Sequence, residues 1–184
     1  MNRFWLIGLI FGLTACTAAA AANETVTSSA SAASLPDLGP APELTNQSWL
    51  NVDAPLRLAQ LRGKVIAIDM WTFGCINCQH VIPSLKEWDD KYRSQGLVII
   101  GNHFPEFSFE KDLTNLKSAV ADNGIKYAVA QDNDGVTWRA FHNDYWPSLY
   151  LIDKKGHIRY THIGEGGYKT TEAAIQNLLV EKYP

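Results

Sequence analysis

Val65-Ile66-Ala67-Ile68-Asp69-Met70-Trp71 limits what this chain can fold into more than any other segment. Its odd and even positions are both apolar, so neither face of the strand it forms can meet water. Such a run belongs in the middle of a sheet covered on both sides, and sheets of that kind are built mainly from parallel strands joined by helices. A single charge interrupts the run, at Asp69. Leu61-Arg62-Gly63-Lys64 supplies the turn that leads into it.

The segments that follow fit this requirement. A helix is predicted from about Cys75 to Ser94, with Val81, Ile82, Leu85, Trp88 and Tyr92 on its buried face and Pro83 kinking it from within. Leu97-Val98-Ile99-Ile100 is the next strand, followed by a loop through His103 and Glu106. Phe109, Leu113, Leu116 and Val120 mark a second amphipathic helix that ends near Gly124. Tyr127 to Ala130 is a strand. Asp132-Asn133-Asp134-Gly135 is turn chemistry, with a short helix through Trp138 and Phe141 behind it. Pro147 opens a hairpin of Ser148–Ile152 and His157–Ile163, and a last helix runs from about Thr170 to Leu179. Upstream, Trp49-Leu50-Asn51 and Leu56-Arg57-Leu58 read as two strands of a small hairpin. The expected fold is α/β: a central mixed sheet flanked by helices, with an N-terminal β-hairpin extension, over residues 43–184.

The remaining residues carry a different signal. Met1-Asn2-Arg3, the apolar stretch Phe4–Leu13 and Leu13-Thr14-Ala15-Cys16 resemble a lipoprotein signal over residues 1–15, with Cys16 as the lipidated residue. An ordinary secretory signal cut among Ala18 to Ala22 is the alternative. The apolar stretch is too short to span a bilayer. Residues 16–42 are rich in Ala, Ser, Thr and Pro and read as a flexible tether. These features place the domain in the cell envelope, lipid-anchored and facing the periplasm or the extracellular side, with Thr17 tilting the choice toward an outer membrane. A formal charge of -3 and the lack of any basic block argue against a nucleic-acid partner.

With Cys16 in the lipidated position, Cys75 and Cys78 are the pair left to the domain. Two thiols at this spacing carry two electrons as a dithiol and disulfide, or supply half of a zinc site. Cys75 falls between strand and helix, where free backbone N–H groups and the helix dipole favour a thiolate, so it is the candidate nucleophile. Cys78, one turn later and more buried, is the candidate resolving thiol. Asp69, a carboxylate on an otherwise apolar strand leading into the site, is the candidate acceptor of the Cys78 proton if it is buried beneath the pair, against the plainer alternative of a loop-capping carboxylate. No cation lies between the cysteines. A less stabilised thiolate means a more stable disulfide, so the pair is expected to work as a reductant. A purely structural disulfide is a poor alternative, because so short a loop constrains the unfolded chain little.

The spacing of Asp69, Trp71, Cys75, Cys78 and Pro83 resembles that of thioredoxin-fold thiol–disulfide oxidoreductases. Trp71-Thr72-Phe73-Gly74-Cys75-Ile76-Asn77-Cys78, Pro105-Glu106-Phe107, Phe109-Glu110-Lys111-Asp112, Asp132-Asn133-Asp134, Tyr145-Trp146-Pro147 and Gly164-Glu165-Gly166 are similar to the TlpA-like subgroup, especially the periplasmic domain of DipZ-type proteins. The resemblance implies a thioredoxin-like fold with a cis-proline at Pro147 facing the disulfide, and a substrate site walled by Trp71 and Trp146. It implies protein disulfides as substrates, in cytochrome c maturation or envelope redox homeostasis. DipZ-type proteins fuse this domain to an electron-transporting membrane domain. A chain standing behind a lipid anchor would instead need a separate membrane electron donor of the DsbD/CcdA type.

No cofactor is called for. A metal site needs more ligands than two cysteines, and the histidines do not recur at ligand spacing, which leaves Cu(I) binding by a thioredoxin-like copper chaperone as a distant alternative. Thr72-Phe73-Gly74-Cys75 matches the Thr-x-x-Cys of peroxiredoxins, so a thiol peroxidase is the other alternative. Ile68 stands where those enzymes carry a proline. His80 and Glu106 are candidates for tuning the cysteines, each also readable as a solvated surface residue. Gly164-Glu165-Gly166-Gly167 follows a strand and lacks a phosphate-loop pattern.

Overall fold

The computed structural model describes Met1 and residues 34–183. The expected signal, the lipidation site at Cys16 and the tether up to residue 33 lie outside the described residues. Six strands form one mixed sheet in the order β1-β4-β3-β2-β5-β6. They are β1 (Ser48–Leu50), β2 (Val65–Trp71), β3 (Leu97–His103), β4 (Ala128–Gln131), β5 (Ser148–Ile152) and β6 (Ile158–Ile163). The helices are α1 (Ile76–Tyr92), α2 (Leu113–Asp122), α3 (Val136–Ala140) and α4 (Tyr168–Val180). β2, β3 and β4 run parallel, while β1, β5 and β6 add antiparallel edges.

β2 occupies the centre for the reason its composition demands. Val65, Ala67 and Trp71 pack against residues of α1, α2 and α4 on one face. Ile66, Ile68 and Met70 pack against Leu44, Leu58, Trp138 and Phe141 on the other. Alternation along the strand then puts Asp69 on the α1 side. The expected mixed sheet flanked by helices is therefore the observed architecture. Among the described residues no helix is long and apolar enough to cross a membrane.

Three expectations are corrected. The N-terminal β-hairpin does not form: Ser48–Leu50 pairs with β4, and Leu58–Leu61 is a 3-10 turn. Glu43 dictates this, because its carboxylate accepts the N–H groups of Leu58 and Ala59 at 2.6 and 2.9 Å. That leaves those two amides unavailable to a ladder. Residues 35–41, assigned by composition to the tether, run along β6. Leu38 donates to Ile158, Ile158 to Gly39 and Ala41 to Gly156, each at 2.9 Å. The Arg159 guanidinium holds the carbonyls of Leu35 and Pro36. This strap satisfies backbone groups that an open edge would leave unpaired. Finally, Phe109 and Leu113 do not share the buried face of α2. Asp112 caps the helix through the N–H groups of Thr114 and Asn115 at 2.7 and 3.0 Å, so α2 starts after Phe109. Only Leu116 and Val120 reach the core, and Phe109 lies 54% exposed in a preceding 3-10 turn.

Candidate active site

Cys75 is the N-cap of α1, with extended backbone, and its Sγ accepts the N–H of Cys78 at 3.3 Å. This bond fixes the Cys75 sulfur against the first turn of the helix. Cys75 is half-buried, whereas Cys78 is 1% exposed, and both thiols are free. Burial pushes the Cys78 thiol far up. The hydrogen bond with Cys75 and the nearby Asp69 charge act in the same direction, against a backbone contact from Thr72. A thiol held this firmly in its neutral form needs a base before it can attack.

Asp69 lies close enough to Cys78 for its charge to act on the thiol. It is 1% exposed, and its Oδ1 has no hydrogen-bond partner among the described residues. Burial alone raises its pKa from 3.8 to about 7. A carboxylate that takes a proton near neutral pH suits proton transfer from a buried thiol.

The loop between β2 and α1 is held by a carboxylate that sequence reasoning missed. Glu110 is fully buried, although its neighbours Phe109 and Lys111 are exposed. It accepts the N–H of Gly74 at 2.8 Å, of Glu106 at 2.6 Å and of Phe107 at 2.8 Å. Burial works to raise its pKa, but the Phe107 N–H, the Thr72 hydroxyl and the other two amides outweigh it and hold the carboxyl below its ordinary value. Gly74 is required at its position, since an added Cβ would stand 2.5 Å from Glu110 Oε1. Glu106, the acid named from the sequence, is exposed and contributes its backbone N–H.

His103, at the end of β3, is also buried. Its ring stacks on Phe73 with centroids 5.3 Å apart and meets Trp71 edge-on at 5.4 Å. Its Nε2 lies 3.2 Å from Thr72 Oγ1. Burial lowers its pKa to about 4, outweighing the nearby Glu110 charge. His103 is therefore a neutral packing element behind the cysteine loop at neutral pH. Its burial could have been inferred from the apolar strand continuing past Ile100, with Gly101 and Asn102 spanning the gap.

The tryptophans divide. Trp71 is fully buried within the α1-side core, so it offers no surface to a substrate and does not wall the site. Trp146 is half-buried, packed on Trp138 at 4.5 Å and on Phe104 at 5.7 Å. The Trp146–Pro147 peptide is cis, and the Pro147 carbonyl accepts the Gly164 N–H at 2.8 Å. Pro147 and Asp69 line one small cavity. Ile76 and the stacked pair Phe107 and Phe109, each more than half exposed, lie on the segments flanking Cys75. His80 is exposed and its Nδ1 lies 3.0 Å from Glu165 Oε2.

Comparison with known proteins fits this arrangement. A family model described as AhpC/TSA family matches residues 39–161. Protein DipZ of Mycobacterium bovis is 44% identical over 156 residues, covering 83% of this chain but 22% of the relative. The chain thus spans about a fifth of the length of such DipZ relatives. Thiol-disulfide oxidoreductase YkuV of Bacillus subtilis is 33% identical over 77% of this chain and 95% of its own length. The crystal structure of a thioredoxin-like superfamily protein superposes with a TM-score of 0.74 at 33% identity, covering 79% of this chain and 99% of that one. The chain belongs to the AhpC/TSA family and, within it, to the thioredoxin-like thiol–disulfide oxidoreductases.

Proposed function

We propose that this protein is a reductase of protein disulfides in the cell envelope, working through Cys75 and Cys78 with Asp69 as the base. One observation carries the reading: a part-exposed thiol at a helix start sits beside a buried thiol, whose proton has a buried carboxylate to accept it. Cys75 thiolate attacks one sulfur of a substrate disulfide. That S–S bond breaks, a Cys75–substrate disulfide forms, and the first substrate sulfur leaves as a thiolate that takes a proton from solvent. Cys78 passes its proton to Asp69 and attacks Cys75 Sγ. The mixed disulfide breaks, the second substrate sulfur leaves, and Cys75–Cys78 is oxidised by two electrons. A separate dithiol donor of the DsbD/CcdA type returns those electrons.

The direction follows from the surroundings of Cys75. Ile76 and Asn77 bring no charge, and His80 is matched by Glu165, so little beyond the helix start stabilises the thiolate. A weakly stabilised thiolate gives a reducing pair. The part-exposed Trp146, with the exposed Ile76, Phe107 and Phe109, forms the surface that receives extended, partly apolar substrate segments, and the buried Pro147 shapes the backbone beneath it. Clients are secreted proteins with oxidised cysteines, including apocytochromes c. Cys16 carries the lipid that anchors the chain at the membrane surface.

The peroxidase alternative is disfavoured by Thr72, whose hydroxyl is engaged by His103 and Glu110. The test is trapping in cells with Cys78→Ser, which strands clients on Cys75 as mixed disulfides. Recovery of envelope proteins by this route supports the reading. Absence of mixed disulfides, together with peroxide-driven sulfenate on Cys75, would replace it with the peroxidase.

A further inference from the structure

Asp69, Leu149 and His162 lie in one row across β2, β5 and β6: Asp69 pairs with Leu149, and Leu149 with His162. Directly opposed residues share a face of the sheet, so Asp69 and His162 both point to the α1 side, flanking Leu149. They line the same cavity, with Val81, Trp88, Pro147 and Tyr168 completing most of its wall. Each contributes a buried atom that has no hydrogen-bond partner among the described residues, Oδ1 of Asp69 and Nε2 of His162. The volume open at the centre is about 10 Å³, close to one water site. Two unpaired polar atoms on one small cavity are what a bridging water satisfies.

His162 is also placed to reach solvent. Its Nε2 is buried, yet the residue as a whole is only half-buried. Gly167 lets the following loop close over the ring: an added Cβ there would stand 2.5 Å from His162 Cε1, at a backbone φ of +62°. The same loop is tied to α1 by Glu165 and His80, two residues beyond Cys78. The titratable groups around the pair are Cys78 and His80 from α1, Glu165 from the loop, Tyr168 from α4, Tyr160 on β6 and Tyr127 before β4. The Tyr127 phenol is pushed up by burial and by the Asp69 charge. No lysine or arginine is among these groups, and His80 faces Glu165.

We propose that His162 is a positioning residue for proton transfer, connecting Asp69 to solvent through a water in this cavity. This inference rests on the reading of Asp69 as the base for Cys78. The proton that Asp69 accepts from Cys78 passes to the water, the water protonates His162 Nε2, and the imidazolium releases the proton on Nδ1 to bulk solvent. The ring then returns to its starting tautomer. No electrons move in this sequence, and Asp69 is left ionised for the next turnover.

The test is single-turnover reduction of a fluorescent disulfide peptide by the reduced full chain, jumped from pH 5 to pH 8 so that Asp69 starts protonated and must discharge before it can serve Cys78, with mixed-disulfide formation resolved from its resolution. His162→Ala slows resolution about tenfold, a fraction of what a positioned acid–base group contributes. It leaves the first attack by Cys75 unchanged, and added imidazole restores the rate. His162→Phe slows resolution equally but is not rescued, because the ring fills the space imidazole would enter. Unchanged resolution with an unshifted pH profile in both variants overturns the relay. So does a slowdown that imidazole fails to restore in His162→Ala. Asp69→Asn separates the two levels. If it slows resolution while His162→Ala does not, only the relay falls; if it leaves resolution unchanged, the base assignment falls with it.

Discussion

Replacing Asp69 by Asn is expected to make the fold more stable, and to do so only where Asp69 would be ionised. In the unfolded chain this carboxyl titrates near 3.8, and in the fold burial moves it to about 7. Between those values the folded state holds a proton that the unfolded state has already released. Stability therefore falls as pH rises through this interval, and the penalty is complete above the folded pKa. A displacement of that size costs the fold about 4 kcal/mol at pH 8. Below pH 3.8 both states carry the neutral acid, and the penalty vanishes. Asn keeps the side-chain shape and cannot ionise. Asp69→Asn should thus gain about 4 kcal/mol at pH 8 and almost nothing at pH 3.5, which for a domain of this length is about 10 °C in Tm at the higher pH. Urea unfolding of the dithiol forms at the two pH values measures the difference. An equal gain at both values, or no gain at pH 8, would refute desolvation of a charge as the source.

Two further outcomes follow from the neighbouring loop. Glu110→Ala removes the acceptor of three backbone N–H groups and should cost about 3 kcal/mol or more, given the usual worth of bonds to a charged group. Hydrogen exchange at Gly74 and Phe107 should speed up in the same variant. Because the Glu110 carboxyl is held below its ordinary value of 4.5, the wild-type protein should lose this support as pH falls below that value, and the variant should not. His103 acts on the acid side too. Its unfolded ring protonates near 6.5 while the folded ring resists until about 4, so stability present above pH 6.5 is lost by about 3 kcal/mol on descending through that window. His103→Gln should flatten this part of the stability profile, and an unchanged slope would show that His103 is not the group responsible.

β2 and the cysteine-bearing start of α1 were readable because hydrophobic burial writes itself into local composition. Asp69 stood out as the lone charge in an apolar strand. Trp71 carried a signal that the motif obscured: it lies two residues after Asp69, so alternation alone puts it under α1 and not at the surface. The cap at Asp112 likewise contained the information that α2 begins after Phe109. Glu110 was illegible for a different reason. Between Phe109 and Lys111 it looks like any surface acid, and its partners are amides from two loops far apart in sequence. Backbone donors leave no trace in residue identity. The link between Asp69 and His162 depends on strand register, which the separate strands do not disclose.

The strap of residues 35–41 has a mechanical consequence. It pairs with β6 around Gly156 and Ile158, at the end of the sheet where β2 begins at Val65. Cys75 follows the opposite end of β2, beyond Trp71. The pairing is antiparallel, so the strap enters beside Arg159 and runs toward the Val65 end, reaching Gly156 at Ala41. A pull on the strap at residue 34 loads its contacts with β6 in shear, across several hydrogen bonds at once, so the edge of the sheet yields as a unit and not bond by bond.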